Sequence, residues 1–127
     1  LGRYRSTVDE QYVPYIMPQE NGNKTEVRWL TLSNDQGLGL LVVGTPPLEA
    51  SVSHFTAADL HQAQHTHELV RRDEVILNLD YMQSGLGGAS CGSGTLPQYL
   101  LQPGRYIFRL RLRPFRAAGE NPVALSR

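Results

Sequence analysis

Residues 105–113 read RYIFRLRLR. Tyr106, Phe108, Leu110 and Leu112 alternate with Arg105, Ile107, Arg109, Arg111 and Arg113, a period of two that sends successive side chains to opposite faces of a β-strand. The apolar row is expected on a core. The arginine row is expected to face solvent or acidic groups of a neighbouring domain; with no aromatic residues interleaved in it, it lacks the stacking platforms of a single-strand nucleic-acid groove. Pro103-Gly104 should open the strand and Pro114 should close it.

Working outward, residues 74–81 repeat the alternation, with Val75, Leu77, Leu79 and Tyr81 on one face and Glu74, Asn78 and Asp80 opposite; Ile76 suggests that the second face is partly covered. In EVRWLTLS, residues 26–33, Val27 and Trp29 share one face and Leu30 and Leu32 the other, the pattern of a strand buried on both sides. Residues 34–37 (NDQG) then turn the chain into 38–44, so the pair reads as a hairpin. A further strand is expected over 51–55. Residues 12–17, bounded by Pro18 and containing Pro14, suit an edge strand or a loop. Glu20-Asn21-Gly22 reads as a turn in which Asn21 and Gly22 supply positive φ. A short helix is expected after Phe55: Thr56 caps it, Asp59 sits near the capping-box position, and Leu60 and Ala63 face inward.

Residues 85–94, GLGGASCGSG, are too glycine-rich for regular structure and read as a surface loop between strands. Residues 116–127 lose periodicity and are expected as a flexible tail, leaving 1–115 as the folded part. Short strands joined by Gly and Pro turns, with at most one short helix, give an all-β fold, a β-sandwich or part of one.

Twelve basic and twelve acidic residues cancel. That removes the electrostatic attraction on which nucleic-acid and anionic-membrane binders rely, so neither partner is expected. No apolar run approaches the roughly 18 residues that a membrane-spanning helix needs. The single cysteine, Cys91, has no intrachain disulfide partner, which fits a reducing compartment; the expected location is the cytoplasm. Leu1-Gly2-Arg3 offers neither an initiator Met nor a signal sequence, and the chain is expected to be cut from a longer protein.

Three segments, taken in order, carry a resemblance. They are GRYRSTVDEQYVPYIMPQENG (2–22), HFTAADLHQAQHTHEL (54–69), and LDYMQSGLGGASC (79–91) with QYLLQPGRY (98–106). Together they resemble the last domain, or small chain, of the β-galactosidases of glycoside hydrolase family 2. The resemblance implies the C-terminal half of a galactose-mutarotase-like β-supersandwich, packed against a catalytic TIM barrel earlier in the full chain. In that family a retaining mechanism uses two carboxylic residues about 5 to 5.5 Å apart. Both belong to the barrel, so no catalytic residue is expected here, and the family's magnesium and sodium sites also fall in other domains. The loop after GLGG normally carries a tryptophan that offers an aromatic face to the sugar; here Cys91 aligns with it, allowing a one-residue gap. A thiol gives far less stacking area than an indole, so sugar affinity or acceptor choice should differ. The resemblance implies a substrate-facing set of Cys91, Ser90, Gly88, Tyr81 and Tyr99, a β-galactoside substrate bound through the full-length enzyme, and homo-oligomeric assembly of that enzyme.

Other readings compete with these. Cys91 has no thiol-hydrolase pattern around it. His61 and His65 stand at a spacing that zinc can use on a helix, with His67 nearby, but polar residues on a turn are the plainer reading. Glu10, Glu20 and Glu26 form no recognisable acid and nucleophile pair. Trp29 and most tyrosines and phenylalanines lie on alternating strand faces and are expected in the core. A second function class is a stand-alone carbohydrate-binding or mutarotase-like module whose ligand sits on the sandwich itself; a half-sandwich offers little concave surface for it.

Overall fold

The structure is a computed structural model that describes residues 2–84 and 91–127. Its strands are β1 (Lys24–Ser33), β2 (Leu38–Ser53), β3 (Ile76–Asp80) and β4 (Arg109–Arg116), and its α-helices are α1 (Ala57–Gln62) and α2 (Pro122–Leu125). The sheet has the order β1-β2-β3, with β4 also paired to β2. The chain is therefore an all-β, sandwich-like domain made mostly of antiparallel sheet. None of its described helices is long and apolar enough to cross a membrane. Contacts divide it into one unit of Leu1–Lys24 with Ala50–Leu79 and another of Thr25–Glu49 with Asp80–Arg127.

In the unit of Thr25–Glu49 and Asp80–Arg127, the expected hairpin is present. Asn34 Oδ1 accepts from the amides of Gln36 and Leu38 at 3.1 and 3.0 Å, and Gly37 closes the turn at a φ of 75°. The double-sided burial expected of β1 falls instead on β2. Leu41 and Val42, neighbours that point to opposite faces, are both fully buried, whereas β1 residues are half-buried or exposed. The cause is position in the sheet, because β2 lies between β1 and β4. A Cβ on Gly39 would stand 1.8 Å from the Leu32 carbonyl oxygen, so only glycine permits this approach of β1 and β2. Leu48 packs over Gly44, where an added Cβ would meet Leu48 Cδ2 at 2.8 Å. The two strands expected over 38–44 and 51–55 are one strand of 16 residues, with a cis Thr45–Pro46 peptide inside it.

β4 departs most from expectation. It starts at Arg109 rather than residue 105 and continues through Pro114, which stands opposite Leu40. An edge strand tolerates proline because one side of its backbone has no ladder to donate to, and β4 pairs only with β2 among the described residues. The apolar row is not a core: Leu110 and Leu112 are 40% and 56% exposed. The buried residue of β4 is Phe115, on the arginine row, opposite Gly39, whose missing side chain leaves the sheet surface open to the ring. The stretch expected to fray after residue 115 carries α2, capped by Asn121 Oδ1 on the amides of Val123 and Ala124. Arg111 donates to the carbonyls of Leu125 and Arg127, and Arg113 pairs with Glu120 at 2.7 Å. Part of the arginine row therefore binds the chain's own C-terminal stretch.

In the unit of Leu1–Lys24 and Ala50–Leu79, α1 begins as its sequence implies. Thr56 Oγ1 accepts from the Asp59 amide at 3.1 Å, and the Asp59 carboxylate accepts from the Thr56 amide at 2.8 Å, a complete capping box. Leu60, Ala63 and Ala50 are buried in this unit. Residues 12–17 form no strand, and Tyr12 packs on Phe55 with ring centroids 5.3 Å apart. Gly22 has the positive φ expected of its turn, 76°. Asn21 does not; its side chain instead accepts from the Val13 amide and donates to the Gln19 carbonyl, so the amide head rather than a left-handed backbone holds the bend.

Candidate functional site

Two places gather chemistry, one in each unit. The first is built on β2's end and the residues after it. His54 is 9% exposed, and its Nδ1 lies 3.0 and 3.1 Å from the carbonyl oxygens of Arg72 and Glu74, which only accept. Nδ1 therefore carries the hydrogen, and Nε2 accepts from Arg71 Nη2 at 2.9 Å, since a guanidinium only donates. Arg71 also grips Asp9 with two bonds of 3.0 and 3.2 Å. Arg72 grips Asp59 in the same way, at 2.6 and 2.8 Å. The Arg72 guanidinium, then the Thr56 amide and hydroxyl, hold the Asp59 carboxyl well below the usual carboxylate range. Arg71 does the same to Asp9, and the Gln64 amide followed by His65 lowers Glu68.

Asp59, Glu68, Arg71 and Arg72 border a cavity of about 520 Å³ whose lining also includes Ala63 and Leu69. Both arginines direct Nε and Nη2 at partners within the fold, so this side of the cavity wall is a braced ionic surface. His65 and His67 stack at 5.5 Å, and His65 Nδ1 lies 3.0 Å from Glu68 Oε1. Among the described residues no group of three or more His, Cys, Asp or Glu is placed to hold a metal ion. The spacing of His61, His65 and His67 is used for a turn: α1 ends at Gln62, and Thr66–Glu68 forms a separate 3-10 turn, so the helix needed for an i,i+4 pair does not reach His65.

The second place is aromatic. Tyr81 follows β3, and its ring meets Tyr106 at 5.3 Å with planes 70° apart and Phe108 at 5.8 Å with planes 85° apart. Both contacts are of the edge-to-face kind that the ring quadrupoles favour. Tyr106 and Phe108 are two residues apart, and both rings contact Tyr81. The Tyr106 hydroxyl donates to the Gln102 carbonyl, tying the ring back to the turn before it. Gln83 Nε2 donates to Asp80 Oδ2 at 2.7 Å and folds the chain just beyond Tyr81.

Of the residues implied as substrate-facing, Tyr81 is thus seated, half-buried, in an aromatic group. Tyr99 lies in a 3-10 turn, Pro97–Tyr99, is 61% exposed, and is not brought into ring contact with Tyr81. Cys91 is exposed and carries a free thiol. Gly88 and Ser90 lie outside the described residues. The sequence points to Tyr81 through its place before the glycine-rich stretch. It assigns Tyr106 and Phe108 to a core because their alternation continues into β4, whereas strand pairing starts only at Arg109. The Asp9–Arg71–His54 cluster joins residues 62 positions apart, a closure for which one sequence carries no local signal.

A family model described as beta galactosidase small chain matches residues 1–112. A β-galactosidase of Priestia megaterium is 39% identical over 116 residues, covering 90% of this chain and 11% of that protein. One from Vibrio cholerae is 39% identical over 114 residues, 89% of this chain and 10% of its own length. A third, from Actinobacillus pleuropneumoniae, is 32% identical over 112 residues, 88% of this chain and 11% of its own. The chain spans about a tenth of the length of the curated relatives it matches. With nearly all of its folded length accounted for by one family model, this chain belongs to the beta galactosidase small chain family.

Proposed function

We propose that this chain serves as a C-terminal accessory domain of a β-galactosidase. In that reading the full-length enzyme hydrolyses terminal β-D-galactosides such as lactose with retention, and this segment closes one wall of the galactose site and supports assembly. The acid and nucleophile come from the barrel, and magnesium and sodium are held in other domains. Residues 1–115 supply the half-sandwich, and 116–127 form the tail. The substrate-facing set is Tyr81, Tyr99, Cys91, Ser90 and Gly88; the expected compartment is the cytoplasm and the expected assembly a homo-oligomer.

The observation that carries this reading is the match of residues 1–112 to the small-chain family, with relatives that are named β-galactosidases and are about ten times longer. The seated Tyr81 gives it a physical counterpart, because sugar C–H groups stack on aromatic faces and, among the described residues, no ring lies flat against Tyr81. With Cys91 in place of an indole, Tyr81 and Tyr99 are the aromatic surfaces left to this wall. The test is a chromogenic β-galactoside assay of two proteins. The 127-residue chain alone should give no turnover. A chimera in which this chain replaces the matching segment of the Priestia megaterium β-galactosidase should hydrolyse the galactoside. Turnover by the purified chain alone, or a folded chimera without activity, defeats the reading.

A further inference from the structure

We propose that Tyr106 and Phe108 are positioning residues that hold the Tyr81 ring in the orientation in which it meets the sugar. This rests on the reading that Tyr81 faces the galactoside. The geometry points to it in three ways. Both rings meet Tyr81 at steep angles, 70° and 85°, with centroids 5.3 and 5.8 Å away, so two close neighbours hinder its rotation about the Cβ–Cγ bond. Those neighbours stand two residues apart in the chain, so they form a single seat rather than two unrelated contacts. Tyr106 is itself braced, because its hydroxyl is spent on the Gln102 carbonyl.

The seat has no evident use as core. Tyr106 is 48% exposed, and the strand pairing that buries β-sheet side chains begins only after Phe108. A contact that costs side-chain freedom while leaving one ring half in solvent stabilises the fold little. Its consequence is instead to fix one aromatic plane. Neither Tyr106 nor Phe108 needs to touch the ligand for this; each acts through Tyr81.

The test pairs a structural and a kinetic readout. In the 127-residue chain, NMR of a ring-labelled Tyr81 should show restricted ring rotation that becomes fast in Tyr106→Ala and Phe108→Ala. Tyr106→Phe, which keeps the ring and loses only the bond to Gln102, should retain most of the restriction. Tyr106→Leu and Phe108→Leu provide the same comparison should the alanine variants lose their folded circular-dichroism signal. In the chimera with the Priestia megaterium enzyme, Tyr106→Ala should raise KM roughly two- to ten-fold, the range of one edge-to-face contact, and leave kcat within about two-fold. Tyr106→Phe should restore KM. Unchanged ring dynamics in both the alanine and leucine variants overturn the seat. Freed dynamics with unchanged KM overturn the positioning role if Tyr81→Ala does raise KM. If Tyr81→Ala leaves KM unchanged as well, the sugar-facing reading of Tyr81 has failed, and the positioning role falls with it.

Discussion

At the scale of single residues, the least replaceable side chain is one that is absent. Gly39 lets β1 and β2 approach until a Cβ would overlap the Leu32 carbonyl, and its bare surface also faces Phe115 across the β2–β4 ladder. Backbone cannot yield as a flexible side chain can. Gly39→Ala should therefore cost about 3 kcal/mol or more, the upper end for overpacking, read as a fall in the urea midpoint with an unchanged slope. A wild-type midpoint in that variant is incompatible with the packing described. His54 allows a sharper check. Two carbonyl acceptors on Nδ1 and a donor on Nε2 fix one tautomer, so long-range nitrogen–proton NMR spectra at neutral pH should show the Nδ1–H pattern. Arg71→Met should leave Nδ1 bonded and free Nε2 to water, and the opposite tautomer in the wild type is the adverse result. Little of this is legible in sequence. The glycine reads as part of a strand, and the histidine as one polar residue among several.

Elements were legible where the signal is local. Thr56 and Asp59 stand three apart before an apolar pair, and that spacing alone implies the capping box that the structure contains. NDQG likewise implies the turn it makes, because Asn34 needs only its own neighbours to close it. Burial was less legible, since it depends on which strand becomes central. EVRWLTLS and LGLLVVG both read as apolar strands in one dimension, though the first carries Glu26 and Arg28, and pairing with β4 on one side and β1 on the other makes β2 central. The same cause misplaced RYIFRLRLR, whose alternation is real but whose apolar row has no described partner layer. A local device should have a local cost. Thr56→Ala should destabilise by about 1 kcal/mol, and Thr56→Ser by much less, measured by thermal unfolding. Hydrogen exchange at the Asp59 amide should rise in the alanine variant. Equal losses for serine and alanine point to packing of the Thr56 methyl instead of the cap.

For the molecule as a whole, family membership was legible because it lies in ordered motifs spread along the chain, whereas the site depends on long-range closure that motifs do not encode. One consequence of that closure concerns acid. Asp9, Asp59 and Glu68 all belong to the unit of Leu1–Lys24 and Ala50–Leu79, and all three carboxyls are held below their ordinary range. Arg71 acts chiefly on Asp9, Arg72 on Asp59, and the Gln64 amide on Glu68. Unfolding returns each to a value near 4, so the unfolded chain binds more protons below that pH. The stabilisation is complete above the unfolded value and is lost as pH falls through the depressed folded ones. Asp9 and Glu68 are exposed and Asp59 is half-buried, so added salt should weaken the effect, least at Asp59. Amide exchange relative to its intrinsic rate, followed from pH 6 down to pH 3, should therefore accelerate first in residues 50–79, while β2 and β4 residues 38–45 and 109–116 hold longer. Asp59→Asn should flatten the pH dependence and lower stability at neutral pH, because the amide keeps the shape but surrenders the charge that Arg72 grips. Uniform acceleration across both sets of residues, or an undiminished pH slope in Asp59→Asn, removes these ion pairs as the source of acid sensitivity.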